Sequence, residues 1–211
     1  LSMKQGRVTA WVLALAGGGM KDAQRNNGIP GFVDIYDNDD LLIDWVYVDS
    51  VDGNYTVSGL PAGEYKVFFD PDGNYIGEWY NNKGFYNADS VSVDPNNPTT
   101  SDDINAVLAL GGSISGSIQD AQGNGIPGYV WIYNTNDDLI DLDYSFDGNY
   151  TVSGLPAGEY KVQFEPEGNY IDQWYNNKEL VSVSVDTTTS DINAVLARKG
   201  SIVPVIMLLL Q

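Results

Sequence analysis

The run Asp52-Gly53-Asn54-Tyr55-Thr56-Val57-Ser58-Gly59-Leu60-Pro61-Ala62-Gly63-Glu64-Tyr65-Lys66-Val67 recurs without a change at residues 147–162. Sixteen consecutive identities mark an internal duplication, the signature of a repeat architecture. The correspondence extends outward. Gly28-Ile29-Pro30-Gly31 returns as Gly125-Ile126-Pro127-Gly128, Trp79-Tyr80-Asn81-Asn82-Lys83 as Trp174-Tyr175-Asn176-Asn177-Lys178, and Ile104-Asn105-Ala106-Val107-Leu108-Ala109 as residues 192–197. The spacers between these motifs differ in length, as loop insertions do.

Inside the repeated run, Asp-Gly makes a hairpin-type turn because Gly accepts positive φ, and Leu-Pro-Ala-Gly marks the next corner. Around these turns lie short alternating stretches: Tyr129-Val130-Trp131-Ile132-Tyr133, Tyr160-Lys161-Val162-Gln163-Phe164 and Val181-Ser182-Val183-Ser184-Val185. No stretch carries a helical period. The pattern predicts an all-β chain of two tandem antiparallel β-sandwich domains, Ig-like or prealbumin-like, of about seven strands each, plus a C-terminal apolar strand. The predicted boundaries are residues 1–109, 110–199 and 200–211. The opening strands are read at residues 8–14, around Val8-Thr9-Ala10-Trp11-Val12, and at Ile114-Ser115-Gly116-Ser117-Ile118.

Lys and Arg total 10 against 29 Asp and Glu, so the net charge is -19, and the chain holds neither His nor Cys. An excess of carboxylates repels a phosphate backbone and an anionic lipid surface, which excludes nucleic acid as a partner. Without Cys there are no disulfides, thiolate nucleophiles or thiolate metal sites. Without His the usual general base and the usual zinc ligand are missing. Carboxylate-pair chemistry would remain, but the acids fall on turns rather than around a cleft, so the chain reads as non-enzymatic. No apolar run reaches the roughly 18 residues of a membrane-spanning helix, and Leu1 opens no signal-peptide pattern.

The repeated motif, preceded by Gly-Ile-Pro-Gly and a β-run, resembles the carboxypeptidase regulatory-like family with its transthyretin-like (prealbumin-like) sandwich, and is similar also to collagen-adhesin B-type surface repeats. The resemblance covers roughly residues 6–197. It implies a small extracellular sandwich used as spacer, stalk or adhesion module, and it implies no catalytic residue. Some modules of that group carry a Lys–Asn isopeptide bond between first and last strands. Asn105 and Asn193 stand in the last strands, but the opening strands as read above offer no Lys, so no such bond is expected.

After the second Ala-Val-Leu-Ala comes Gly200-Ser201-Ile202-Val203-Pro204-Val205-Ile206-Met207-Leu208-Leu209-Leu210-Gln211, which aligns with Gly112-Ser113-Ile114 at the start of copy two. It reads as a surplus first strand that is apolar on both faces. Such a strand needs cover. Either it folds back on its own domain or a longer chain continues it, or Ile202, Val203, Val205, Ile206, Met207, Leu208, Leu209 and Leu210 add to a neighbouring copy by β-augmentation, making the chain its own partner in a polymer.

Three further groups of residues are candidate sites. Trp79, Tyr80, Trp174 and Tyr175 offer aromatic faces of the kind that stack on sugar rings, against a packing role at a sandwich end. Asn54 and Asn149 begin glycosylation sequons at hairpin turns. Asp37, Asp39, Asp40, Asp137 and Asp138 cluster on equivalent loops and suit Ca²⁺, the one cofactor the sequence suggests, although neither loop completes an EF-hand and solvated turn chemistry explains them as well. Two functions follow: a secreted or cell-surface structural or adhesive subunit that polymerises head to tail through its C-terminal strand, or alternatively a non-catalytic carbohydrate-binding module that contacts surface glycans through its Trp-Tyr loops.

Overall fold

The computed structural model describes residues 14–49, 51–83, 88–93 and 104–200, with side chains from residue 17 onward. Residues 8–13 of the anticipated first strand and residues 202–210 of the apolar tail lie outside the described residues. The chain forms two compact units whose main boundary in sequence falls between Gly111 and Gly112. The architecture is all-β, and among the described residues the one helical element is a single 3-10 turn, Tyr175–Asn177.

Unit 1 contains β1 (Ala14–Asp22), β2 (Gly31–Tyr36), β3 (Leu42–Val48), β4 (Asn54–Ser58), β5 (Gly63–Pro71), β6 (Glu78–Trp79), β7 (Ser90–Val93) and β8 (Ala106–Leu108). They form two sheets, β4-β1-β8 and β3-β2-β5-β6, with β7 also pairing with β5. Alternation decides the faces. Val33 and Ile35 of β2 and Val67 and Phe69 of β5 point inward and are fully buried, meeting Met20, Tyr55, Val57 and Leu108 of the other sheet. Each such side chain contributes about 1.5–3 kcal/mol through removal from water. Their neighbours at odd steps, Phe32, Asp34 and Tyr36 on β2, therefore face outward.

Unit 2 repeats the plan with β9 (Gly112–Asp120), β10 (Gly128–Tyr133), β11 (Leu139–Ser145), β12 (Asn149–Leu155), β13 (Gly158–Pro166), β14 (Gln173–Trp174), β15 (Val181–Val183), β16 (Thr188–Thr189) and β17 (Ala194–Leu196). Its sheets are β12-β9 with β16 and β17, and β11-β10-β13-β14 with β15 beside β13. The Asp-Gly turn behaves as its sequence requires: Gly53 and Gly148 sit at φ +70° and +91°, and their carbonyls accept from the Met20 and Ile118 amides at 2.9 and 2.7 Å.

Two features go beyond the sequence reading. The strand of copy one equivalent to β9 is Ala14–Asp22, which runs on past the anticipated residues 8–14, and within the otherwise antiparallel architecture the closing strands β8 and β17 run parallel to β1 and β9. The Gly-rich stretch Gly17-Gly18-Gly19 has poor strand propensity, which hides β1 in the sequence. It is nevertheless required there, because a Cβ on Gly18 would stand 1.9 Å from the Ile104 carbonyl oxygen, and on the equivalent Gly116 2.1 Å from that of Ile192. Only bare backbone lets the last strand approach the first so closely.

The same junction is fastened by buried tyrosines. The Tyr55 hydroxyl donates to the Ile104 carbonyl at 2.7 Å, and Tyr150 to that of Ile192 at 2.6 Å. Burial pushes both phenols well above the ordinary tyrosine range. The first strand so placed also carries a lysine, Lys21, one pair beyond the Met20–Ala106 register position, so the expected lack of Lys does not hold for copy one. Asn105 is engaged elsewhere, since its Oδ1 accepts from the Gly19 amide at 2.7 Å, as Asn193 Oδ1 accepts from the Ser117 amide at 2.9 Å.

Candidate functional site

The Trp-Tyr-Asn-Asn-Lys motif closes a tight turn in each unit. Asn81 and Asn82 at φ 63° and 55°, and Asn176 and Asn177 at φ 38° and 58°, occupy the left-handed region that Asn tolerates better than other side chains. That backbone demand accounts for the repeated asparagines. Trp79 is 8% exposed and packs on Tyr36 and Phe68 with ring centroids 5.2 and 5.0 Å away. Tyr80 is half-buried against the unit 1 core. Trp174 is half-buried, 5.4 Å from Tyr133, with the Lys178 ammonium 4.3 Å above its ring, and Tyr175 is half-buried beside it.

The acidic loops are organised as turns. Asp37 Oδ1 accepts from the Asp39 and Leu41 amides at 2.9 and 3.0 Å, a side-chain mimic of a backbone turn. Asp40 pairs with Lys66 at 2.6 Å and Asp137 with Lys161 at 2.9 Å. Asp138 accepts from Asn134 Nδ2 at 2.9 Å. Asp39 is exposed. Among the described residues no three Asp or Glu side chains converge as a metal cage.

Asn54 and Asn149 are the exposed first residues of β4 and β12. Their backbone amides donate to Asp52 and Asp147 at 2.9 Å each, which aligns the turn. Asn54 also borders a depression of about 280 Å³ with Gly17, Gly18, Tyr55, Thr56 and Asn105. Its floor is the glycine backbone of β1, so it presents peptide groups and amides rather than catalytic side chains.

An exposed aromatic cluster lies where the sequence reading placed no site, on the outer face of the β3-β2-β5 sheet. Register sets Tyr47, Phe32 and Asp70 in one row across the three strands, and Trp45, Asp34 and Phe68 in the next. Trp45 is 56% exposed, Tyr47 49% and Phe32 36%, and Phe32 meets both rings edge-on at 5.4 and 5.0 Å. The Tyr47 hydroxyl donates to Asp72 at 2.7 Å. Asp34 is half-buried, and desolvation first, then the nearby Asp70, raises its carboxyl above the ordinary range. Desolvation and Asp72 do the same to Asp70. The aromatic positions are visible in the alternation of residues 32–36 and 45–47, but their outward direction is fixed only by pairing with β5.

Unit 2 keeps the class of residue while moving it between strands. Tyr129 stands for Phe32 and Tyr144 for Tyr47, while Trp131 on β10 takes the place of Asp34 and Leu142 that of Trp45. Trp131 Nε1–H donates to Glu165 at 2.9 Å and the Tyr144 hydroxyl to Glu167 at 2.8 Å.

Among the described residues β3 and β11 are end strands of seven residues, each paired on one side only. Their free edges differ. On β3 one amide, that of Trp45, is capped by the preceding carboxylate, Asp44, at 2.9 Å. On β11 two amides are capped in the same way, Leu142 by Asp141 at 2.7 Å and Tyr144 by Asp143 at 2.8 Å. Inward-turned acids of this kind blunt an edge against pairing with another chain.

No protein-family model matches the chain, and no curated protein sequence matches it. The carboxypeptidase regulatory-like resemblance is thus one of motif alone. Among solved structures, the chain is similar to a Streptococcal ancillary pilin at 14% identity and TM-score 0.42, covering 88% of this chain and 63% of that one. This chain therefore spans less than two thirds of that pilin. It is similar to the shaft pilin SpaA of Lactobacillus rhamnosus GG at 9% identity and TM-score 0.36, covering 90% and 99%. It is similar also to the TIE protein of Bacillus anthracis at 17% identity and TM-score 0.34, covering 86% and 34%. These likenesses are distant and assign no site to the chain.

Proposed function

We propose that the chain is an extracellular structural subunit that joins head to tail, the apolar segment 202–210 of one copy adding as a strand to the open β3 edge of the next. The observation that carries this reading is the edge itself. Leu42–Val48 is long, bears one Asp and no Lys, Arg or Pro, and flanks the exposed rings of Trp45 and Tyr47. An edge this apolar is a pairing template unless something covers it. The tail offers the matching chemistry, a run without charge whose residues are apolar at both odd and even positions. Backbone hydrogen bonds would give affinity and the aromatic wall would shelter one apolar face of the added strand. The second Asp on β11 disfavours that edge, which directs the tail to unit 1 and makes the contact heterologous, the kind that builds fibres when it does not close.

The function needs no reaction centre, in keeping with a chain that lacks His and Cys and spends its repeated residues on turns and strand junctions. The carbohydrate-binding alternative draws less support, because Trp79 is committed to packing on Tyr36 and Phe68 and the asparagines beside it to a left-handed turn. With no native cysteine, a trapping experiment is clean. In the double variant Ile43→Cys, Leu208→Cys, oxidation gives a ladder of disulfide-linked multimers on a denaturing gel. A product that stays at monomer size refutes this head-to-tail contact.

A further inference from the structure

We propose that the outer face of the β3-β2-β5 sheet in unit 1 binds a basic polypeptide segment, seating an Arg or Lys side chain against the Asp34 carboxylate among Phe32, Tyr36, Trp45 and Phe68. Strand register sets the arrangement. Trp45 and Phe68 are the direct cross-strand neighbours of Asp34 on its two sides, and Phe32 and Tyr36 flank it two residues away on the same strand face. Direct cross-strand neighbours lie about 4.5–5.5 Å apart at Cβ, so a carboxylate stands at the centre of four aromatic side chains.

A cation suits both parts of such a face. The exposed rings of Trp45 and Phe32 attract it through their quadrupoles, Tyr36 and Phe68 being packed against Trp79, and the carboxylate neutralises it. Charge complementarity selects this occupant: Asp34, Asp70 and Asp72 share the face, and the basic residue nearest in register, Lys66, is paired with Asp40 at 2.6 Å. Among the described residues no hydrogen-bond donor or cation pairs with the Asp34 side chain. Its partial desolvation beside Asp70, which raises its pKa, makes an incoming positive charge more favourable still. A second copy of the same face is a poor occupant, because the chain's net charge is -19.

Unit 2 is the built-in contrast. Trp131 fills the position of Asp34, Gln163 replaces Phe68, and Glu165, the equivalent of Asp70, already accepts from Trp131, whereas the Tyr144–Glu167 bond repeats the Tyr47–Asp72 bond of unit 1. Asp34 lies one strand inward from the β3 edge while Trp45 stands on the edge strand itself, so the site shares that ring with the proposed assembly edge.

The test follows indole Nε1–H resonances of the full chain by NMR, titrating acetyl-(Arg-Ser)4-amide, acetyl-(Glu-Ser)4-amide and cellohexaose in parallel. The Arg peptide shifts the Trp45 signal saturably and leaves Trp131 unmoved. Asp34→Asn, read at the Trp45 indole, and Trp45→Ala, read at the Phe32 backbone amide, each weaken binding on the order of tenfold, while Asp34→Glu retains it. Because both positions lie on the outer face of the sheet, away from the buried core, the remaining amide spectrum should be preserved. Parallel shifts at Trp45 and Trp131 would reduce the effect to diffuse attraction, and unchanged affinity in Asp34→Asn, or a response to cellohexaose alone, would overturn the assignment.

Discussion

Replacing Tyr150 by Phe removes one hydroxyl from the buried junction between β12 and the segment leading into β17. The hydroxyl donates to the Ile192 carbonyl at 2.6 Å, and Tyr150 is 5% exposed. Phe keeps the ring, which meets Phe164 at 5.9 Å, so the loss is confined to the hydrogen bond and to a carbonyl left without that donor. Such a loss costs about 1–3 kcal/mol. Amide exchange by mass spectrometry should then quicken by roughly 5- to 150-fold in peptides covering residues 149–155 and 192–196. The pH dependence supplies an independent check. Burial raises the Tyr150 pKa, so its neutral form is favoured in the folded state. The associated stability is complete below the ordinary tyrosine value of about 10 and is lost as pH rises toward the higher folded pKa. Phe cannot ionise, so the deficit of Tyr150→Phe relative to the parent should shrink above pH ~10. Exchange within twofold of the parent, or a deficit that stays constant across the alkaline range, would refute the reasoning.

Gly116→Ala should destabilise unit 2 by about 2–4 kcal/mol, seen as a lower urea midpoint, because its Cβ would stand 2.1 Å from the Ile192 carbonyl oxygen and disturb the bond from the Ile192 amide to Ser115. In Tyr75→Phe the Asp22 carboxylate loses the hydroxyl at 2.7 Å that does most to lower its pKa, so a carboxyl NMR titration should show that pKa rising toward the usual carboxylate range. Since a depressed pKa stabilises the fold above the ordinary carboxylate value and the gain is lost as pH falls through the folded pKa, the variant should also lose stability less steeply on acidification. Intact mass should show no loss of ammonia, because Asn105 is held by the Gly19 amide; a loss of one ammonia would reveal a crosslink, with Lys21 the lysine nearest Asn105 in register to check by peptide mapping.

The duplicated run makes the fold class legible, because identical turn residues at identical places in two copies fix the strand boundaries around them. Val33 and Ile35 can be assigned to a core from alternation alone. The outer face cannot. Alternation says that Phe32, Asp34 and Tyr36 share a side, but an aromatic side reads as core until pairing with β5 shows that Val67 and Phe69 bury the opposite one. The first strand is hidden for a different reason. Its glycines answer to a backbone contact with Ile104 that exists only after the last strand docks, so local propensity points elsewhere. The Trp-Tyr motif stands out as a repeated feature, yet its burial depends on Tyr36 and Phe68, which are remote in sequence. Asp44, Asp141 and Asp143 look like ordinary surface charge, and only their bonds to edge amides distinguish one open edge from the other.

Sedimentation velocity on the full chain beside a chain ending at Gly200 tests the assembly reading most directly. Concentration-dependent oligomers from the full chain, and a single monomeric species once residues 201–211 are removed, are the expected pair of results. Identical size distributions for the two would contradict the claim that the apolar strand joins one copy to the next.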